Sequence, residues 1–157
     1  DDRVRNSNAI ISIQGTHSYD HADSDTVEII TPGSFQNRRG NYVITYNETE
    51  LEHQGGTTTT TVTVESDTKI SVIRSGDIHS HMIFEQGRKH LVYYDTQFGS
   101  LVIGVSASRV DTRLGKDGGR IEIDYAIEID NTVAAENKFR LNIRSSGEKT
   151  RRSGVPS

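Results

Sequence analysis

Between Arg120 and Asn131 the chain reads Ile121, Ile123, Tyr125, Ile127 and Ile129 at every second position, with Glu122, Asp124, Glu128 and Asp130 set between them. A helix cannot use this pattern, because a period of 3.6 would scatter those apolar residues around its surface. A pleated strand gathers them on one face and the carboxylates on the other. The same two-residue period returns in Leu101, Ile103, Val105 and Ala107, and again in Phe139, Leu141 and Ile143. Composition agrees, since Ile and Val total 28 against 11 for Leu and Ala, with 16 Thr besides, so residues suited to pleated surfaces dominate.

Shorter stretches continue the alternation along the chain. Ala9 to His17, Asp25 to about Gln36, Asn41 to Glu48, Thr57 to Glu65, Lys69 to Arg74, Ile78 to Glu85 and Leu91 to Asp95 all read as strands. Thr31-Pro32-Gly33 is expected to interrupt the second of these, because Pro removes a ladder donor and Gly permits a bulge. Glu65 to Thr68, Ser75-Gly76-Asp77 and Lys116-Asp117-Gly118-Gly119 read as turns. No segment carries a helical stripe, although Asn131 to Asn137 has room for a short turn.

If the last hairpin loops over Asn131 to Asn137, Asp130 meets Lys138, Glu128 meets Arg140 and Asp124 meets Arg144. On the other face Ile129 meets Phe139, Ile127 meets Leu141, and Tyr125 meets Ile143. Opposite charges across a ladder contribute roughly 0.2–1 kcal/mol each, so this register is the expected one.

Residues 9–144 are therefore read as one β domain, with 1–8 a flexible N-terminal segment and 145–157 a disordered tail lacking apolar periodicity. The net charge of −4 offers no positive field, so nucleic acid and membrane surfaces are not expected partners. The absence of cysteine excludes disulfides and thiolate metal sites and fits the reducing cytoplasm.

Most candidate sites have plainer readings. His79-x-His81 places two imidazoles on one side of a strand, but on the face opposite Ile78, Met82 and Phe84, with Asp77 the nearest third ligand. No metal site is expected there. His17 to Asp25 gathers oxygen ligands yet lacks the central Gly and closing Glu of a calcium loop. Asn47-Glu48-Thr49 matches a glycosylation acceptor that carries no weight in a cytoplasmic chain. Gly55-Gly56 and Gly118-Gly119 lack the strand-to-helix setting and Lys of a phosphate loop, and there is no Gly-x-Ser-x-Gly elbow. Neither a cofactor nor a catalytic set is indicated, and Glu48 is the single candidate for an acid or base.

Two charges break the pattern. Glu48 shares its parity with Tyr46 and Ile44, and Arg74 shares its parity with Val72 and Ile70, so both are candidates to face inward and pair. Such a pair is either a plug or the polar anchor of a ligand cavity.

Several ordered blocks carry a family likeness: Tyr46-x-Glu48-Thr49-x-Leu51, Ile73-Arg74-Ser75-Gly76, Met82-Ile83-Phe84-Glu85-x-Gly87, Tyr94-x-Thr96-x-Phe98-Gly99-x-Leu101 and Gly118-Gly119-x-Ile121-x-Ile123-x-Tyr125. Together, from about Ala9 to Arg144, they resemble the YwiB-like bacterial proteins, the domain of unknown function family 1934. The resemblance implies an antiparallel up-and-down, calycin-like (lipocalin-like) β-barrel of about eight to ten strands in a cytoplasmic protein, and no established activity. A barrel of that size either fills its interior or holds one small ligand. The leading expectation is a module that binds a small apolar or amphipathic molecule, lined by Tyr46, Glu48, Arg74, Tyr94 and Tyr125. The alternative is a structural or protein-interaction domain with a filled barrel, in which outward-facing Ile30, Ile73 and Ile83 form a contact patch. An enzyme is the least favoured reading.

Overall fold

The structure, a computed structural model, describes residues 7–18, 25–49, 57–76, 79–96 and 99–145. Ten strands follow one another: β1 (Ala9–Ser18), β2 (Asp25–Arg38), β3 (Asn41–Thr49), β4 (Thr57–Ser66), β5 (Lys69–Gly76), β6 (Ser80–Glu85), β7 (Lys89–Thr96), β8 (Gly99–Gly115), β9 (Gly118–Ile129) and β10 (Thr132–Ser145). They form one antiparallel sheet in the order β6-β5-β4-β3-β2-β1-β10-β9-β8-β7. Chain neighbours pair throughout except at one place. β1 pairs with β10, and the seam falls between β6 and β7.

The turn after β6 draws that seam together. Gln86 bridges Ala107, Gly87 N donates to Ala107 O at 2.9 Å, and Gln86 Oε1 accepts from Val110 N at 2.9 Å. The sheet thereby curls into a nearly closed barrel. Alternation delivers its core: Ile11, Ile44, Val62, Ile70, Val92, Val105, Ile121, Ile123 and Leu141 are all essentially inaccessible. Burying each such side chain contributes about 1.5–3 kcal/mol, which is what selects one face over the other along every strand. Phe35 and Tyr42 stack at 5.1 Å near one end of this core.

The expected break at Thr31-Pro32-Gly33 is not there. β2 is continuous and instead changes partner, its residues 25–33 pairing with β1 and 33–38 with β3. Pro32 stands before the β3 ladder begins, where a missing donor on that side breaks no bond. Gly33 lies between both neighbours, and a Cβ there would meet Thr45 O at 2.6 Å and Ile11 Cγ1 at 2.8 Å. Only glycine lets three strands pass this closely.

The last hairpin also differs from expectation. Asp130 and Asn131, with φ of 54° and 63°, make a tight two-residue turn of the kind whose twist suits paired strands. Lys138 therefore faces Asp124, Phe139 faces Ile123, Arg140 faces Glu122 and Leu141 faces Ile121. The pairings of Asp130 with Lys138, Glu128 with Arg140, Asp124 with Arg144, Ile129 with Phe139, Ile127 with Leu141 and Tyr125 with Ile143 are all overturned. Because the partner of Arg140 moves from 128 to 122, an even slip, every side chain keeps its face. The segment 131–137 is mostly strand rather than loop, with a bulge between Val133 and Ala135.

At the ends of the domain, the Asn8 side chain clamps Phe35, donating to its carbonyl at 3.0 Å and accepting from its amide at 2.8 Å. Ser145 still belongs to β10 and faces Ala9. The rest of the two terminal segments, 1–6 and 146–157, lies outside the described residues.

Candidate functional site

On the inner face, register lines up Tyr46 on β3, Thr60 on β4, Arg74 on β5 and Ser80 on β6. One step toward the nearer barrel end, Glu48 faces Thr58, and Thr58 faces Gly76. One step inward the same strands carry Ile44, Val62, Val72 and Met82. A polar band thus sits on an apolar floor.

The band is internally bonded. Arg74 Nη2 lies 3.4 Å from Glu48 Oε1, and the Thr60 hydroxyl donates to the other carboxylate oxygen, Oε2. Both charged side chains retain about a fifth of their exposure, 21% and 22%. Tyr46 is buried beside them, and burial, reinforced by the Glu48 charge, pushes its phenol above the usual tyrosine range; Arg74 and a hydrogen bond with Thr60 pull the other way. At pH 7 Tyr46 is neutral.

This band borders a cavity of about 280 Å³. Its apolar wall is made by Ile13, Val27, Ile29, Val72, Met82, Phe84 and Phe139, with Lys138 at its edge. Val27 and Ile29 share the inward parity of Phe35, yet they are 53% and 41% exposed. The partner change at Gly33 explains this, because β3 does not extend alongside that half of β2. Among the described residues the barrel wall is open there, and apolar side chains line the opening.

Of the residues singled out in the sequence, Tyr46, Glu48, Arg74 and Tyr125 converge on this cavity. Tyr125 packs against Phe84, ring centroids 4.7 Å apart. Tyr94 faces Leu101 in the β7–β8 ladder, but its side chain lies outside the described residues. Sequence reading missed Val27, Ile29, Thr60, Met82, Phe84, Phe139 and Lys138. Parity carried a signal for the apolar residues of this wall, and nothing in the sequence marked Lys138.

The other candidates stay apart. His81 Nε2 and Ser71 Oγ are hydrogen-bonded at 2.9 Å, His79 is exposed, and no group of three metal-ligating His, Asp or Glu side chains gathers among the described residues. Asp77, residues 19–24 and Gly55-Gly56 lie outside the described residues. Asn47 accepts from the Thr59 hydroxyl at 2.9 Å. Ile30, Ile73 and Ile83 do not form the expected patch. Ile83 is half-buried, and Ile73 shares its row with Thr61, Thr45 and Ser34, four residues and three strands from Ile30.

The outward carboxylates of β9 pair with cations, as expected, but with different partners. Glu122 accepts from Arg109 at 2.8 Å and pairs with Arg140 at 2.9 Å and Arg120 at 3.5 Å. Glu128 binds Lys89 at 3.0 Å and the Ser106 hydroxyl at 2.9 Å. A larger open cleft of about 620 Å³ runs over outward positions such as Thr16, Ser106, Asp124 and Lys138. Its chief cation, Lys89, is already held by Glu128 and Asn131. The inner cavity is the better candidate because an apolar wall and a polar band border the same space.

The sequence profile of Domain of unknown function (DUF1934) matches residues 11–141, most of the chain. The chain belongs to the DUF1934 family. A relative of this chain is the uncharacterized beta-barrel protein YwiB of Bacillus subtilis (strain 168), 27% identical over 110 residues, covering 70% of this chain and 75% of the relative. The crystal structure of the ywiB protein from Bacillus subtilis superposes with a TM-score of 0.78 at 21% identity, over 89% of this chain and 92% of that one. That likeness shows the fold of this DUF1934 domain, a β-barrel. No helix among the described residues is long and apolar enough to cross a membrane.

Proposed function

We propose that this DUF1934 domain is a binding module that takes one small amphipathic molecule into its barrel. The observation that carries the reading is the cavity in which an apolar wall faces the Glu48 and Arg74 pair. Its volume of about 280 Å³ sits near the low end of small-molecule sites, roughly 300–1,000 Å³, so the occupant is short. The apolar body enters between Val27 and Ile29 and lies against Val72, Met82, Phe84 and Phe139. Ligand contact removes exposed Val27 and Ile29 surface from water, which supplies part of the affinity. Neither nucleic acid nor a membrane surface is the partner in this reading, in keeping with the net charge of −4, and the compartment is the cytoplasm, in keeping with a chain without cysteine.

The test is titration with the neutral dye N-phenylnaphthylamine, paired with native mass spectrometry of freshly purified protein. A saturable rise in fluorescence at one dye per chain, abolished in Met82→Trp, which fills the cavity, is the expected result. Absence of binding, or equal binding by Met82→Trp with unchanged stability, overturns the reading.

A further inference from the structure

Aromatic rings concentrate at the inner cavity. Of the chain's six tyrosines and four phenylalanines, Tyr46, Phe84, Tyr125 and Phe139 line this one space. They come from both halves of the sheet, Tyr46 and Phe84 from β3 and β6, Tyr125 and Phe139 from β9 and β10. Phe84 and Tyr125 meet between strands that share no ladder, their rings tilted by 58°. Glu48 and Arg74 line the same space, and their side chains retain 22% and 21% of their exposure, so this polar pair is within reach of an occupant.

Resting on the binding function proposed above, we infer that the occupant is a flat, uncharged ring with an N–H donor next to a C=O acceptor, the edge of a lactam. The walls select the ring. Aromatic surfaces attract one another beyond the area they bury, and a rigid ring gives up fewer rotamers on binding than an alkyl chain of similar size. The pair selects the edge. A carboxylate accepts hydrogen bonds and a guanidinium donates them, so Glu48 Oε1 and Arg74 Nη2, 3.4 Å apart, present an acceptor beside a donor. The two adjacent atoms of a lactam edge match them with two bonds side by side, N–H to Glu48 and C=O from Arg74. Each carboxylate oxygen carries two lone pairs, and Thr60 and Arg74 take one on each, which leaves Glu48 the capacity to accept a further N–H. An ionic head does worse. It draws one member of the pair away from the other, and separating partners in a largely buried ion pair is costly.

Displacement of bound N-phenylnaphthylamine from wild-type protein by carbostyril, N-methylcarbostyril, naphthalene, quinaldate and octanamide tests this. Carbostyril, a fused ring with a lactam edge, is expected to compete at least about tenfold better than its N-methyl form, which lacks the donor, and than naphthalene or the anionic quinaldate. It is also expected to outcompete octanamide, which has the polar edge without the ring. Glu48→Leu combined with Arg74→Met replaces the pair by apolar side chains of similar size, a change that buried ion pairs commonly tolerate, and its thermal midpoint checks the fold. Direct calorimetric titration of that variant should show carbostyril and its N-methyl form binding alike. Equal competition by N-methylcarbostyril, tightest competition by quinaldate, or a preference that persists in the folded double variant overturns the lactam edge, and octanamide matching carbostyril overturns the ring. Any of these leaves the binding function standing. Failure of the dye to bind wild-type protein removes both, and the wild-type ranking decides the matter whether or not the variant folds.

Discussion

Arg74 on β5 reaches past β4 to Glu48 on β3, Nη2 to Oε1 at 3.4 Å, so an ion pair spans two strands that share no ladder. Thr60, on the strand between them, donates to the same carboxylate. The contact ties three strands together at the end of the barrel where the cavity lies.

Removing one member of this pair takes the opposite charge away from the other. Buried pairs typically lose about 3–5 kcal/mol on such truncation; because each side chain keeps about a fifth of its exposure, Arg74→Met is expected to cost about 2 kcal/mol in urea unfolding. Glu48→Gln combined with Arg74→Met costs less than the sum of the single changes. Strict additivity would show that the two residues act independently.

Glu122 predicts a pH dependence. The hydrogen bond from Arg109 holds its carboxyl below the usual glutamate range, against the opposing effect of burial, and Arg140 and Arg120 lower it further. A depressed folded value means stability that is present above the unfolded value, about 4.3, and is lost as pH falls through the folded one. Glu122→Gln should therefore be less stable than wild type at pH 7, with the gap closing below about pH 4.3. Thermal midpoints of both proteins across pH 2.5 to 7, about the span that covers this window, provide the check. A constant gap would refute the assignment.

Tyr46 predicts the opposite sign at alkaline pH. With its phenol raised mainly by burial, folding opposes ionisation, and that contribution is present below the unfolded value, about 10, and disappears as pH rises through the folded one. Near-ultraviolet difference titration should show a late tyrosine step, that of Tyr46, which comes only with unfolding. The late step should be missing in Tyr46→Phe.

The β9–β10 turn gives a conformational test. Asp130 holds φ at 54°, which a β-branched side chain opposes. Asp130→Val should cost about 1–2 kcal/mol, whereas Asp130→Asn stays within a few tenths. If Val and Asn behave alike in chemical denaturation, the turn has another form in solution.

Alternation alone determined which way side chains face, and it did so even for Glu48 and Arg74, because a period of two admits only two sides and the neighbours Ile44, Val72 and Ile70 chose between them. Register was not determined that way. Any even slip keeps each residue on its face, and Arg140 finds a carboxylate at either 128 or 122, so charge pairing could not separate the alternatives; the left-handed turn at Asp130 and Asn131 did. Nor does a one-dimensional pattern say that β2 trades β1 for β3 at Gly33, leaving Val27 and Ile29 inward in parity yet open to water. That exchange depends on how long strands bend around a closing sheet, and only the tertiary structure brings the opening, the apolar wall and the Glu48 and Arg74 pair to one cavity.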